Sequence, residues 1–237
     1  TGTKINFFSD PKIFEKTRFK SDDVKSRMHE TAYLNPALTI VYADRRDGKD
    51  ERIEFHEPEG ISGFVRDLNK NIETIHDVVY FKGESDGIGV EAAFQYTNEF
   101  HENILGFCNN IYNAEGGAHI TGFKTVFTTV INQYARELGI LKEKDANFTG
   151  TDVRNGMTAV ISIKHPDPRF EGQTKTKLDN QDAAKVTAKV TGDEIQLFFD
   201  KHLETLKAVI ECALKAAKIR KTEERAKTNL LTKQKFS

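Results

Sequence analysis

The order in which strand-like and helical apolar patterns follow one another from residue 77 to the end of the chain constrains the fold most. Four runs are strand-like, at about 77–83, 88–96, 103–112 and 157–164. A helical stripe from Ile120 to Tyr134 separates the third run from the fourth, and the chain is helical from Asn180 onward. This order is typical of an α+β or α/β domain. We favour α+β, with about four strands covered by helices on one face.

Local signals add detail to this prediction. Asp86-Gly87 indicates a hairpin between the first two runs, and a short helix is expected near Thr151–Gly156. The capping-box spacing of Thr191-Gly192-Asp193-Glu194 predicts that one helix ends there and another begins, which runs to about Asn229. Because the apolar stripe fades beyond Ala217, we expect that last helix to leave the core and project.

The first 60 residues carry their own set of signals. Alternation over residues 3–8 predicts a strand, and Ser21-Asp22-Asp23 offers an N-cap for a helix through about Leu34. Asp47-Gly48 lies between two β-rich runs, Leu38–Ala43 and Arg52–His56, and predicts a hairpin. The acidic Glu57-Pro58-Glu59-Gly60 is the best candidate boundary, and the short apolar pattern of Ile61–Leu68 predicts a helix after it. We therefore predict domains at 1–58 and 59–237.

Composition narrows the class of protein. A hydrophobic fraction of 38% and a charged fraction of 30% are typical of a soluble globular chain. No apolar run approaches the roughly 18 to 20 residues that cross a bilayer, and no export signal is recognisable. Cys108 and Cys212 lie in apolar patterns without a CxxC spacing, so we expect buried thiols and a cytoplasmic location.

The net charge of −1 is unevenly distributed. From Lys215 to the end, eight Lys and Arg residues face two Glu residues, so this segment is +6 and the remainder is −7. A nearby polyanion and a solvated helix face both explain such a pattern.

A polar loop, Gly172-Gln173-Thr174-Lys175-Thr176-Lys177, is the first candidate for chemistry. It places two ammonium groups, two hydroxyls and an amide within six residues, and charged donors of this kind bind phosphate oxygens well. An exposed, solvated lysine-rich loop is the alternative interpretation.

The segment from Asn109 to His119 is the second candidate. Glu115, His119 and the nearby Cys108 suggest a metal site, but their spacing matches no established zinc pattern. A capped helix start with a packed histidine is the favoured interpretation. The chain contains no GxSxG, HExxH or P-loop motif, so nothing indicates nucleophilic catalysis.

Three blocks resemble signatures of the B subunits of bacterial type II DNA topoisomerases. Asn109-Asn110-Ile111 followed by 115–123 resembles the NNI…EGGTHxxGF motif, with Ala118 where the family has Thr. Residues 166–178 resemble the PDPxFxGQTKxKL block, and residues 2–11 resemble the GTxVxFxPDPxIF strand. The blocks occur in the family's order and span most of the chain.

The resemblance implies a fold and a domain order. Residues 1–58 would be the last strands and helix of a GHKL ATPase domain. Residues 59–237 would be a ribosomal protein S5 domain 2-like transducer with a long C-terminal helix. Because Thr1-Gly2-Thr3 is no translation start, we expect a piece of a longer protein that begins inside a sheet.

The resemblance also implies roles for individual residues. Lys175 would contact the γ-phosphate of ATP, Gln173 would support that contact, and Thr3 would lie near the adenine. Basic residues of the last helix would face duplex DNA: Lys215, Lys218, Arg220, Lys221 and Arg225. The cofactors would be ATP and Mg²⁺, and the partners the A subunit, in an assembly of two A and two B subunits, and a second B subunit that joins on ATP binding.

The same resemblance places the family's catalytic glutamate, magnesium-binding asparagine and glycine-rich lid before Thr1, and the DNA-cleavage domain after Ser237. We therefore expect no catalytic residue and no metal ligand in this chain, and neither ATP hydrolysis nor DNA cleavage by the chain alone. Of the two branches of the family, we favour gyrase B. Topoisomerase IV shares all three blocks and stays open, as does a nucleic-acid-binding module of S5-like fold without any link to ATP.

Overall fold

A computed structural model describes residues 2–235, without the side chain of residue 235. The chain divides into two compact units, Thr1–Gly60 and Ile61–Ser237. In the described residues no helix is long and apolar enough to cross a membrane.

The first unit combines one helix with one hairpin. Helix α1 spans Ser21–Leu34, and strands β1 (Thr39–Asp44) and β2 (Glu51–His56) pair antiparallel. Asp47 and Gly48 in the connection have positive φ values of 53° and 73°, which is the backbone conformation that an Asp-Gly turn supplies. The predicted helix and hairpin are therefore confirmed.

Two predictions for this unit are wrong. Residues 2–10 form no strand, because a strand needs a paired neighbour and the only ladder within 2–60 joins β1 to β2. The N-cap prediction also fails. Helix α1 already includes Ser21, and its cap residue Lys20 makes no side-chain cap hydrogen bond. The Ser21 hydroxyl instead donates to Asp44 Oδ2 at 2.8 Å, so a tertiary contact outcompetes the local one.

The second unit is built on a mixed sheet. Its strands are β3 (Val79–Ser85), β4 (Ile88–Tyr96), β5 (Asn103–Cys108), β6 (Ile111–Tyr112) and β7 (Met157–Lys164). They follow the order β3-β4-β7-β5-β6, and only the β5–β7 pair is parallel. The predicted third strand is split in two because Asn109 and Asn110 adopt positive φ values of 50° and 64°, so the sheet has five strands where about four were expected.

Helices α3 (Ala118–Glu137) and α5 (Gln181–Lys201) cover one face of this sheet. Phe94 of β4 meets Phe127 of α3 edge-on with ring centroids 5.1 Å apart, and Phe199 of α5 joins them. All three rings are buried. The short α4 (Gly150–Arg154) and the long α6 (Leu203–Lys235) complete the helices of this unit together with α2 (Gly60–Leu68).

The opposite face of the sheet is also covered, which corrects the prediction of helices on one face only. The ring of Phe64 in α2 lies 6.2 Å from that of Phe107. Asn69, just past α2, donates its amide to Gln95 Oε1 at 3.0 Å and accepts from the Thr158 hydroxyl at 2.8 Å. The sequence signal for this second layer was weak because several residues buried in it are polar, and apolar patterns do not reveal them. Polar side chains can be buried when each is hydrogen-bonded.

The predicted helix break at Thr191–Glu194 is wrong, since α5 passes through it without interruption. A Cβ on Gly192 would lie 3.0 Å from Val126 Cγ2, so the glycine permits close approach of α5 to α3. The break falls at His202 instead, and α6 continues past the expected Asn229. A capping pattern in sequence is thus overridden by helix packing.

Candidate functional site

Two segments that are far apart in sequence form one structure. We call Asn109–Gly117 the glycine loop and Gly172–Lys177 the lysine loop. The amide of Glu115 donates to the carbonyl of Thr176 at 2.9 Å, and the amide of Leu178 donates to the carbonyl of Gly116 at 3.2 Å. These bonds hold the lysine loop against the start of α3.

The glycines of this contact are required by geometry. Gly117 has φ 137° and ψ −167°, a region that only glycine adopts readily. A Cβ there would lie 2.4 Å from the carbonyl oxygen of Leu178 and 2.5 Å from its amide nitrogen. Gly117 therefore lets two backbones meet where any other residue would push them apart.

A buried histidine fixes the base of the segment that carries the lysine loop. The side chain of Asn109 donates to the His165 carbonyl and accepts from the His165 amide, both at 2.9 Å. His165 Nδ1 accepts from the amide of Asp167 at 3.0 Å, so Nε2 carries the proton and donates to Asp182 Oδ1 at 2.9 Å. That hydrogen bond lowers the pKa of Asp182.

The two lysines of the loop differ in their surroundings. Short strands β8 (Phe170–Glu171) and β9 (Lys177–Leu178) flank the loop, and Lys177 Nζ lies 2.9 Å from Glu171 Oε1. This hydrogen bond raises the pKa of Lys177. Lys175 is exposed and makes no ion pair with any described residue, and its ammonium lies 5.8 Å from the centre of the Phe170 ring. Gln173 is exposed on the same loop.

The backbone of Lys175 is unusual. Its φ of 57° places it in the left-handed region, which costs a residue with a Cβ roughly 1–2 kcal/mol. The buried side chain of Asn113 donates to the Lys175 carbonyl at 2.8 Å, and the Thr176 hydroxyl donates to Glu115 Oε2 at 2.6 Å. The loop is therefore held by its backbone, while the Lys175 ammonium lies near the Phe170 ring and pairs with no carboxylate among the described residues.

The structure separates the residues of the suspected metal site. Glu115 serves the lysine loop, whereas His119 is fully buried and its ring nitrogens have no hydrogen-bond partner among the described residues. Burial lowers the pKa of His119 to about 4. Across residues 2–235 no three His, Cys, Asp or Glu side chains group so that they could hold a metal ion. The packed histidine is confirmed, but the predicted cap is wrong, because N-cap residue Gly117 has no side chain to offer.

Thr3 lies in the first unit, exposed and outside any helix or strand. The predicted nucleotide contacts, Lys175 with Gln173 on one side and Thr3 on the other, thus belong to different compact units.

The basic residues of α6 divide into two groups. At about 3.6 residues per turn, Lys215, Lys218, Lys221 and Arg225 lie on one side of the helix, and Arg220 lies on the opposite side. The four on the first side are exposed.

Arg220 has a structural partner that sequence analysis missed. Its Nη2 lies 2.9 Å from Asp152 Oδ2 and its Nε 3.1 Å from Oδ1, and Asp152 is only 3% exposed. Burial raises the pKa of Asp152, but hydrogen bonds from Arg220 and Thr149 outweigh it and the net shift is downward. The capping-box spacing of Thr149 and Asp152 signals the start of α4, yet nothing local points to an arginine 68 residues away.

Both cysteines are free thiols, as expected for a chain without a CxxC pair. Cys108 is buried, whereas Cys212 is only half-buried, so the prediction of two buried thiols holds for one of them.

Comparisons with known proteins show which solved structures share this fold. The ATPase domain of Thermus thermophilus gyrase B, solved in complex with an aminocoumarin, superposes with a TM-score of 0.79 at 32% identity, over 92% of this chain and 59% of that one. The topoisomerase IV ATP-binding domain of Francisella tularensis superposes with a TM-score of 0.74 at 23% identity, over 89% of this chain and 57% of that one, and shows the fold alone. The fold is therefore that of the ATPase regions of bacterial type II topoisomerase B subunits.

Sequence similarity then selects the branch. The family model for DNA gyrase B matches residues 60–229. The DNA gyrase B protein of Streptococcus pneumoniae serotype 4 is 44% identical over 229 residues, which is 96% of this chain and 35% of the relative. The chain belongs to the DNA gyrase B family, and it spans about a third of the length of the curated relatives that it matches.

Proposed function

We propose that this chain is the segment of a gyrase B subunit that couples ATP binding and hydrolysis to DNA strand passage. In this proposal residues 59–237 are the transducer and residues 1–58 are the end of the GHKL ATPase domain. Lys175 contacts the γ-phosphate of ATP, Gln173 supports that contact, and Thr3 lies near the adenine.

The observation that carries the proposal is the contrast between the two lysines of the lysine loop. Lys177 is neutralised by Glu171, whereas the Lys175 ammonium meets only the Phe170 ring and no carboxylate among the described residues. A phosphate oxygen would give that ammonium a charge-assisted hydrogen bond, roughly twice as strong as a neutral one. A solvated loop would have no need to hold Lys175 in a left-handed backbone conformation.

The remaining partners follow from the same proposal. The exposed cations Lys215, Lys218, Lys221 and Arg225 contact duplex DNA, whereas Arg220 holds α6 to α4. The A subunit and a second B subunit complete the assembly, and the protein works in the cytoplasm. Because the described residues do not fit a metal site, none of these steps is assigned to Mg²⁺.

The test is the substitution Lys175→Ala in the full-length B subunit. Loss of one charged hydrogen bond should weaken binding of a non-hydrolysable ATP analogue about ten- to a hundred-fold. Affinity for ADP should stay unchanged, because ADP lacks the γ-phosphate. Isothermal titration calorimetry with both nucleotides measures the ratio. Lys177→Ala is the matched control and should leave it unchanged. A Lys175→Ala variant with the wild-type ratio would refute the role.

A further inference from the structure

The strained backbone of Lys175 is held by one buried side chain. Asn113 is 2% exposed, and its Nδ2 donates to the carbonyl oxygen of Lys175 at 2.8 Å. The net stabilisation from a neutral hydrogen bond of this kind is comparable to the cost of the left-handed conformation. Without it, the Lys175 carbonyl would lose its side-chain anchor, and Lys175 would leave the left-handed region more readily.

The backbone of Asn113 is itself hydrogen-bonded on both sides. Its backbone amide donates to the Gly106 carbonyl at 2.8 Å, and its backbone carbonyl accepts from the Gly116 amide at 2.9 Å. The residue is thus tied to β5 on one side and to the glycine pair on the other. The backbone that carries the Asn113 side chain is therefore anchored to the sheet, and the side-chain amide is held through its Nδ2 by the Lys175 carbonyl.

The neighbouring position is fixed independently. Thr176 donates its hydroxyl to Glu115 Oε2 at 2.6 Å and accepts the Glu115 amide at its carbonyl at 2.9 Å. The backbone on the C-terminal side of Lys175 is therefore constrained at two successive residues. The Lys175 side chain itself is exposed, and its ammonium lies over the Phe170 ring.

We propose that Asn113 is a positioning residue for nucleotide discrimination, which holds the Lys175 backbone so that the ammonium reaches a terminal phosphate. The inference rests on the proposed function of Lys175. Asn113 does not touch the nucleotide. It raises the fraction of time in which Lys175 points at the phosphate, so its effect is confined to ligands that carry a γ-phosphate.

The experiment compares nucleotide affinities of full-length B subunits. Asn113→Ala should weaken binding of a non-hydrolysable ATP analogue about three- to tenfold and leave ADP binding unchanged. In the double variant with Lys175→Ala, the loss should equal that of Lys175→Ala alone, because the positioned group is already gone. Isothermal titration calorimetry gives all four pairs of constants.

Two further variants separate positioning from folding. Asn113→Leu has about the same side-chain shape but no hydrogen-bond donor, and it should reproduce the loss of Asn113→Ala. Thr176→Val removes the neighbouring tie at a half-buried site and should shift the same ratio if Asn113→Ala does not fold.

Asn132 provides the matched control. It is also buried, and its amide donates to the Phe148 carbonyl at 3.0 Å, far along α3 from the lysine loop. Asn132→Ala should lower the melting temperature without changing the ratio of analogue to ADP affinity.

The outcomes are distinguishable. Equal weakening of both nucleotides by Asn113→Ala would mean a structural role and would overturn the inference. An unchanged ratio in Asn113→Ala beside a changed ratio in Lys175→Ala would overturn it too, yet leave the proposed function intact. An unchanged ratio in Lys175→Ala would remove both.

Discussion

The lysine loop and the C-terminal part of α6 are both rich in cations, but they are built in opposite ways. The lysine loop has two lysines, one neutralised by Glu171 and one held in a strained backbone by Asn113. Along α6 the exposed cations Lys218, Lys221 and Arg225 project from a plain helix. The helix carries more cations, and constraint is higher in the loop. A single cation on a constrained backbone suits recognition of one phosphate, whereas several exposed cations along a helix suit a polyanion of many phosphates.

Arg220 shows why charge alone does not identify a site. It lies within the basic segment, yet its guanidinium is engaged with the buried carboxylate of Asp152. An arginine whose donors are already satisfied has less to offer a nucleic acid.

The largest expected effect tests the constraint in the loop. Gly117→Ala should cost roughly 3 kcal/mol or more in unfolding free energy, since it combines a glycine-only backbone conformation with a clash against Leu178. Gly172 also has a positive φ, 75°, but a Cβ there meets nothing within 4 Å. Gly172→Ala should therefore cost only about 1–2 kcal/mol. Urea unfolding measures both, and equal costs would show that the contact with Leu178 is unimportant.

The next effect concerns the histidine at the start of α3. The pKa of His119 falls from 6.5 to about 4 on burial, so the unfolded chain takes up a proton in this range and the folded chain does not. The contribution of neutral His119 to the free energy of unfolding is thus fully present above pH 6.5. It is lost as the pH falls towards 4, by on the order of 3 kcal/mol. His119→Leu should flatten urea-derived stability over this range. Some slope should remain because burial also lowers the pKa of His76. Parallel profiles for parent and variant would exclude His119 as the cause.

The smallest expected effects distinguish the paired Arg220 from the exposed cations of α6. Arg220→Ala leaves Asp152 buried without its partner and should cost roughly 2–3 kcal/mol. Lys221→Ala should change stability by no more than about 0.5 kcal/mol. For binding to duplex DNA, Lys221→Ala should have the larger effect of the two variants. Lys221→Ala should reduce the slope of log affinity against log salt by about 0.9, and Arg220→Ala should leave it unchanged. If neither variant alters that slope, the exposed face of α6 does not contact DNA.

Local pattern was sufficient to predict most elements of this chain. The apolar stripe from Ile120 to Val130 placed α3, and the buried run at Met157–Lys164 placed β7. Such elements depend on periodicity and turn residues within a short window, and these are visible in sequence. Prediction failed where a neighbouring strand was decisive, as at residues 3–8, which had strand alternation but no strand to pair with among residues 2–235.

The candidate site, too, could be predicted from the sequence only in part. The resemblance of the QTK block identified Lys175 and Gln173 as candidates, but it gave no reason why Lys177 should differ from Lys175. That difference depends on Glu171 across a two-strand ladder, and on Asn113, which is 62 residues away in sequence.

By itself the sequence determined most of the helical and extended segments, where the charge is concentrated and which family the motifs resemble. These properties follow from side-chain chemistry and local backbone preference. Only the tertiary structure decided that β5 runs parallel to β7, that the backbones of Gly117 and Leu178 are in close contact, and that Arg220 pairs with Asp152. Each of these depends on the distance between atoms remote in sequence, and chain folding alone fixes that distance.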